Sequence, residues 1–390
     1  MIEPEGWLDL LTDLVRTPSH PGVPRQEEAV VRVLSGWLAA HGIASEISEV
    51  APGRPNLLAR VAGRDAGRRL VLCGHTDTVP LNVGDEGVGF RAEVRDGRLF
   101  GRGACDMKGA LAAMAATLVS LAATGGPARG ELVLAAVADE EMESRGAEAL
   151  VASGFRADGA IVGEPTQNHL ALGHRGLEWL EISFTGKAAH GGTPEAGINA
   201  IVAASRFLVL VEERLKPALA KRAHPLIGPP TINAGTIAGG DQPSTVAGAC
   251  AVRVDRRTVP GESYGSVVAE LEALVVEVAG AVPGIRASIA RVPGGMLALE
   301  HLPTVLGEDH PLARTVAAAC GAERGRRDEP ASFPAWTDAS LLANFAGIPC
   351  VILGPGDLAL AHSPAESVPL AEVREAARIY ARAAADFCGA

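Results

Sequence analysis

The feature that most constrains this chain is a short apolar run that stops at a histidine and an acid: Leu70 to Pro80, LVLCGHTDTVP. The run has strand composition, and His75 and Asp77 follow its end at alternate positions. In open α/β sheets, ligands collect just beyond the carboxyl ends of the strands. A histidine and an acid in that place suit a metal site or a catalytic pair. The same arrangement returns downstream: Glu131 to Ala138 ends in Asp139-Glu140-Glu141, and Ala160 to Gly163 ends in Glu164. Cys350 to Leu353 leads through a glycine turn to His362.

Around these runs the chain reads as alternating strand, loop and helix. Arg25 to Ala40 repeats apolar residues at helical spacing and Gly42 stands at the C′ position. Phe90 to Phe100 predicts a strand pair around Asp96-Gly97, and Leu370 to Phe387 an amphipathic terminal helix. This rhythm predicts an α/β fold with a mainly parallel, helix-covered sheet. At 390 residues the chain exceeds what one core usually supports. The rhythm changes near Gly176, where the order becomes β-α-β-β-α-β, the ferredoxin-like split unit, before α/β alternation resumes after Pro293-Gly294-Gly295. Residues 177–295 are therefore expected to be an inserted α+β domain, with 1–176 and 296–390 forming the main one.

Gly101-Arg-Gly-Ala-Cys-Asp-Met-Lys-Gly109 invites a dinucleotide-loop reading, but the spacing fails GxGxxG and Asp106 stands where phosphates would. The net charge of −11, with no dense basic block, argues against nucleic acid or an anionic membrane as a partner. The acidic amino terminus lacks a signal peptide's basic start, and the longest apolar runs look broken before they could span a bilayer. The six scattered cysteines lack CxxC spacing and read as reduced core residues of a cytoplasmic protein.

Five donors thus follow strands: His75, Asp106, Glu141, Glu164 and His362. Imidazoles with carboxylates suit Zn²⁺, Co²⁺ or Mn²⁺, and the absence of paired thiolates excludes a zinc knuckle. One bridging carboxylate and two further ligands per ion would hold two cations about 3.5–4 Å apart around an activated water, which suits amide hydrolysis. A further carboxylate must then take a proton and return it to the leaving nitrogen. Glu140, beside a ligand, is the natural candidate.

His75-Thr-Asp77-Thr-Val-Pro80, Gly101 to Gly109, Asp139-Glu140-Glu141, Gly163-Glu164-Pro165-Thr166 and Ala361-His362-Ser-Pro-Ala-Glu366 resemble, in order, the signature blocks of one family. It is the acetylornithine deacetylase, succinyl-diaminopimelate desuccinylase and glutamate carboxypeptidase family of dinuclear zinc hydrolases. The resemblance implies that His75 and Glu164 bind one metal, Glu141 and His362 the other, and that Asp106 bridges them. It implies that Asp77 orients His75 and that Glu140 is the general base and acid. It further implies that the inserted domain is a lid through which the chain forms a homodimer. There His190 would help stabilise the oxyanion across the dimer, Arg256 would grip the substrate carboxylate, and Asn233 would hydrogen-bond the substrate.

The implied substrate is an N-acyl amino acid or short peptide with a free carboxylate, with the Ala104 to Gly109 block, the Arg256 segment and Arg175-Gly-Leu-Glu-Trp179 leaning toward the acetylornithine deacetylase branch. Succinyl-diaminopimelate desuccinylase, aminoacylase and carboxypeptidase or dipeptidase activities are the alternatives, and a non-catalytic amino-acid-binding relative is the remote one. Gly239 to Ala247 departs from the pattern: the Asn that many relatives carry near Ser244 is missing, as is an acid after the following Pro. That departure bears on the substrate and not on the metal chemistry.

Overall fold

The computed structural model describes residues 6–82, 89–325 and 329–389, and the chain divides into two compact units. The first comprises Met1–His174, Leu297–Leu299 and Thr304–Ala390; the second comprises Arg175–Met296 and Glu300–Pro303.

The first unit is α/β. Strands Arg129–Val137, Asp65–His75, Gly159–Val162 and Cys350–Ile352 run side by side in parallel. Antiparallel strands flank them, Arg54–Ala62 and Ser45–Ala51 at one edge, Ala171–His174 and Thr304–Val305 at the other. Leu70–His75 and Leu132–Val137 are buried throughout, as strands covered on both faces must be. Val71, Cys73, Val133, Ala135 and Val162 pack with Leu150 and Leu342, from helices Arg145–Ala152 and Ala339–Ala346. The helix Gly109–Ala123 and the turn before it approach so closely that two strand-end positions have no room for a side chain. A Cβ on Gly74 would lie 2.6 Å from Met107 Cε, and one on Gly163 would lie 2.3 Å from Met114 Cε.

That helix corrects one expectation. Together with the turn before it, Ala104–Ala123 is 20 residues long and apolar enough by composition to cross a membrane, so the apolar runs are not all broken. Nearly all of its residues are nonetheless buried, and it packs with the terminal helix Leu370–Gly389 as part of the core. The predicted hairpin is present as Glu93–Arg95 and Arg98–Phe100. Its two turn residues, Asp96 and Gly97, have φ of 49° and 72°, the left-handed values a two-residue hairpin requires. Arg98–Phe100 also pairs with Ser367–Pro369, which carries the loop after His362 back to Gly101.

The second unit has strands Gly176–Thr185, Thr231–Gly239, Ala249–Thr258 and Arg286–Arg291, all antiparallel, with Gly176–Thr185 between Ala249–Thr258 and Arg286–Arg291. Helices Ala200–Leu210 and Tyr264–Ala281 complete the β-α-β-β-α-β order. Each starts on a side-chain cap: Asn199 accepts the amides of Ile201 and Val202, and Ser263 forms a capping box with Ser266. Alternation decides the rest. Leu180, Ile182, Phe184, Val252 and Val254 form a core with Phe207 and Leu271, while Trp179, Glu181 and Ser183 point to the opposite face.

Candidate metal centre

His75 is the last residue of the central strand, Glu140 and Glu141 follow its neighbour Arg129–Val137, and Glu164 follows Gly159–Val162. Asp106 lies in the turn that opens into Gly109–Ala123, and His362 in the loop between Cys350–Ile352 and Ser367–Pro369. Donor atoms of His75, Asp106 and Glu141 all lie within 4.8 Å of one another. The two oxygens of Asp106 face different imidazoles: Oδ1 is 3.0 Å from His75 Nε2, and Oδ2 is 3.4 Å from His362 Nε2. His362 Nε2 also lies 3.0 Å from Glu141 Oε1. One carboxylate thus stands between two histidines.

Asp77 braces both sides of this group. His75 Nδ1 meets the Asp77 main-chain oxygen at 3.0 Å and its carboxylate at 3.5 Å. The same carboxylate accepts the amides of Glu140 (3.1 Å) and Glu141 (3.0 Å). Burial would raise Asp77, but its contacts with His75 and with the Glu141 amide hold it below its ordinary value.

The other carboxylates of the group crowd one another. Burial, reinforced by the neighbouring carboxylates, pushes Glu164 and Glu140 well above the usual carboxylate range, against the pull of His75. Glu141 is raised by burial and by Asp106, with His362 opposing. Glu164 Oε1 is buried and has no hydrogen-bond partner among the described residues. His362 is raised to about 10 by Asp106 and Glu141. Buried acids of like sign, an orphaned carboxylate oxygen and two imidazoles turned toward carboxylates are a donor set that fits divalent cations. The donors are nitrogen and oxygen only. All six cysteines are buried thiols, and Cys105 is spent on the Asp357 carbonyl, 3.2 Å away.

The sequence alone assigns no role at this site to Arg102, Glu366 or Asp338. Glu366 accepts the amides of Cys105 (3.2 Å) and Asp106 (3.3 Å) and forms a buried ion pair with Arg102, tying the Asp106 turn to the loop after His362. Asp338, buried before helix Ala339–Ala346, is raised to about 7 by burial and by its neighbours Asp77 and Asp139, with His75 opposing. A charged residue inside an otherwise apolar or glycine-rich block, as in Gly101-Arg102-Gly103 or Trp336-Thr337-Asp338-Ala339, is the pattern that points to Arg102 and Asp338.

In the second unit, His190 is exposed, and its Nδ1 accepts the Gly192 amide at 3.1 Å. A neutral ring so held carries its proton on Nε2. Asn233 lies on the exposed strand Thr231–Gly239, opposite Asp255. Arg256 is fully buried in the second unit. Its guanidinium pairs with Glu262 (2.7 Å) and Glu270 (3.2 Å) and donates to the Arg257 carbonyl. The reason is strand parity: Arg256 shares its face with Val252 and Val254, and the adjacent Arg257 takes the other. There Arg257 forms a two-armed pair with Asp255, at 2.8 and 3.0 Å, and Asp255 also receives the Trp179 indole N–H at 3.0 Å. Arg175 is lowered by burial and by the nearby Arg257.

Comparison with known proteins agrees with this architecture. The signature of the family described as Peptidase family M20/M25/M40 matches residues 71–386. An acetylornithine deacetylase of Myxococcus xanthus is 32% identical over 392 residues, covering 97% of this chain and 97% of the relative. The aminopeptidase PepT of Bacillus cereus superposes with a TM-score of 0.80 at 20% identity, over 98% of each chain. The YXEP protein of Bacillus subtilis, described as a dinuclear metal binding peptidase from the M20 family, does so with a TM-score of 0.71 at 17% identity, over 99% of each. Fold, site and relatives together define a metallohydrolase of amide bonds. The chain belongs to the peptidase family M20/M25/M40.

Proposed function

We propose that this protein removes the acyl group from an N-acyl amino acid by amide hydrolysis, with two divalent cations held by five side chains. The observation that carries the reading is Asp106, whose separate oxygens face His75 and His362. This supports Asp106 as the bridge, His75 with Glu164 on one ion, and Glu141 with His362 on the other. The N/O donor set favours zinc, with cobalt or manganese as substitutes. When bound, such a pair polarises the substrate carbonyl and brings the pKa of an attacking water to about 7.

The chain's own residues do the rest. Asp77 fixes the His75 ring and, through two amides, the turn carrying Glu140. Glu140 takes the water's proton and hands it to the departing nitrogen. Its buried surroundings, which favour the protonated carboxyl, suit the second half of that task. His190 from a second copy of the chain donates Nε2–H to the oxyanion, an interaction that can be worth about 3–4 kcal/mol. Arg257 rather than Arg256 receives the substrate carboxylate, with Asn233 beside it on the same face of the sheet. A homodimer through the edge strand Thr231–Gly239 is supported by its exposed residues, Ile237 among them at 50%, and by Val202 and Val209 on helix Ala200–Leu210 at 44% and 50%. Sedimentation is expected to give an active dimer; a fully active monomer would refute this part.

The reading is tested by a hydrolysis panel of N-acetyl and N-succinyl amino acids and dipeptides with added Zn²⁺, Co²⁺ or Mn²⁺. Cleavage of an N-acetyl amino acid is expected to dominate. Preference for dipeptides would favour the peptidase branch, and no cleavage of any amide would overturn the enzymatic reading. On the preferred substrate, Arg257→Ala is expected to raise KM at least tenfold, because removing a charge-assisted hydrogen bond costs about 1.5–3 kcal/mol. Equal KM values for Arg257→Ala and the parent protein would return the carboxylate site to another residue.

A further inference from the structure

The turn that carries Glu140 and Glu141 leaves the sheet at Ala138 and rejoins regular structure at Gly146, and neither end is free. Asn56 Oδ1 accepts the Ala138 amide at 3.1 Å, while its Nδ2 donates to the Gly146 carbonyl at 2.8 Å. The Gly146 amide donates in turn to the Ala138 carbonyl at 2.9 Å, so the two ends are closed on each other with Asn56 as a clasp. The fit excludes a side chain at position 146, where a Cβ would lie 2.3 Å from the Ala138 nitrogen and 2.5 Å from Asn56 Oδ1.

Two residues before Asn56 on the same strand, and so on the same side of it, stands Arg54. Its guanidinium forms an ion pair with the buried Asp139, the first residue of the turn, and it is itself fixed by the buried Glu27 at 3.0 and 3.1 Å. Asp139 has φ of 73°, and its carbonyl gathers the amides of Glu143 (3.2 Å) and Ser144 (2.6 Å). The tip is caught from the other side by the Asp77 carboxylate. The turn therefore has three anchors, two of them supplied by one strand that contributes no ligand.

We infer that Asn56 and Arg54 are positioning residues that hold the Glu140–Glu141 turn in register with the metal ligands, and that Asn56 is required because it both donates and accepts. The inference rests on the proposed metal site. Outer partners of ligands typically govern metal affinity or activity by about 10–100-fold. They act here through the turn.

The test is a Co²⁺ titration of chelator-treated protein, read by the absorption of the bound ion, alongside kcat and KM. The parent protein is expected to bind two ions. Asn56→Ala and Asn56→Asp, which remove both or only the donor half of the clasp, are expected to keep one ion and bind the second about 10–100-fold more weakly. In both, kcat falls at least tenfold with KM within twofold. Arg54→Lys, which keeps the charge toward Asp139, is expected to retain more affinity for the second ion than Arg54→Met. If the folded Asn56 variants bind both ions as tightly as the parent and turn over as fast, the inference is wrong, even should they melt earlier. A parent protein that takes up no Co²⁺ would instead overturn the metal reading beneath it.

Discussion

Glu140→Gln is expected to bind both cations with parental affinity and to lose hydrolysis by about 10²–10⁴-fold, the usual worth of a positioned acid–base group. The substitution keeps the shape of the side chain and leaves the Asp77 bond to the Glu140 amide untouched, because that bond uses the main chain. What it removes is a carboxyl that burial, Glu164 and Glu141 push well above its ordinary value, with His75 pulling the other way. Metal content by elemental analysis and kcat on the preferred acyl substrate decide the matter together. A variant with full metal content and more than a tenth of parental kcat would remove Glu140 from the role of general base.

Stripping the cations is expected to abolish hydrolysis and to make the fold sensitive to pH in a defined direction. Glu140 and Glu164 stand well above 4.5 in the folded chain, and Asp338 stands at about 7 against its ordinary 3.8. A group raised on folding contributes stability that is whole below its unfolded pKa and is lost as pH climbs through its folded one. His75 and His362 are raised too, His362 from 6.5 to about 10, so they add loss in the same direction over a higher window. Asp77 and Asp106 are lowered and run the opposite way, but their change is complete near pH 4, and Lys108, which burial lowers to about 7, opposes the fall only from about pH 7 upward. Metal-free protein should therefore melt at a temperature that falls between pH 5 and pH 8. A pKa unit is about 1.4 kcal/mol, and about 1 kcal/mol moves the midpoint of a large domain by about 2–4 °C, so a fall of about 5–10 °C is expected. The loaded protein should show a flat profile over the same range, since cations then replace the protons. A metal-free Tm that stays level or rises from pH 5 to pH 8 would mean that these acids are not crowded together.

Much of the fold is legible locally. A strand buried on both faces has to be a continuous apolar run, so Leu70–His75 and Leu132–Val137 declare themselves, and whatever follows them must lie at the sheet's carboxyl edge. The hairpin at Asp96-Gly97 is equally local, being a demand for left-handed backbone at two adjacent residues. Arg256 shows where locality fails. Arg256 and Arg257 are neighbours of identical chemistry, and a strand sends them to opposite faces. Which one turns inward depends on the pairing of Arg256 with Ile232 and Glu178, and on Glu262 and Glu270 waiting beneath. A shift of one residue reverses the assignment.

The anchors of the site were hidden for a related reason. Asn56 serves main-chain groups 82 and 90 residues away, and Glu366 serves amides 260 and 261 residues away. A backbone amide has no side chain to mark it, so nothing in the sequence near Ala138 or Asp106 announces that an Asn or a Glu must come to meet it. The sequence by itself determined the kind of donors, their order and the sheet edge they occupy, because strand period and ligand chemistry are properties of short segments. Only the tertiary structure decided that one carboxylate stands between two imidazoles, which arginine faces outward, and what holds the acid turn in place, because those depend on distances between segments that the chain does not join.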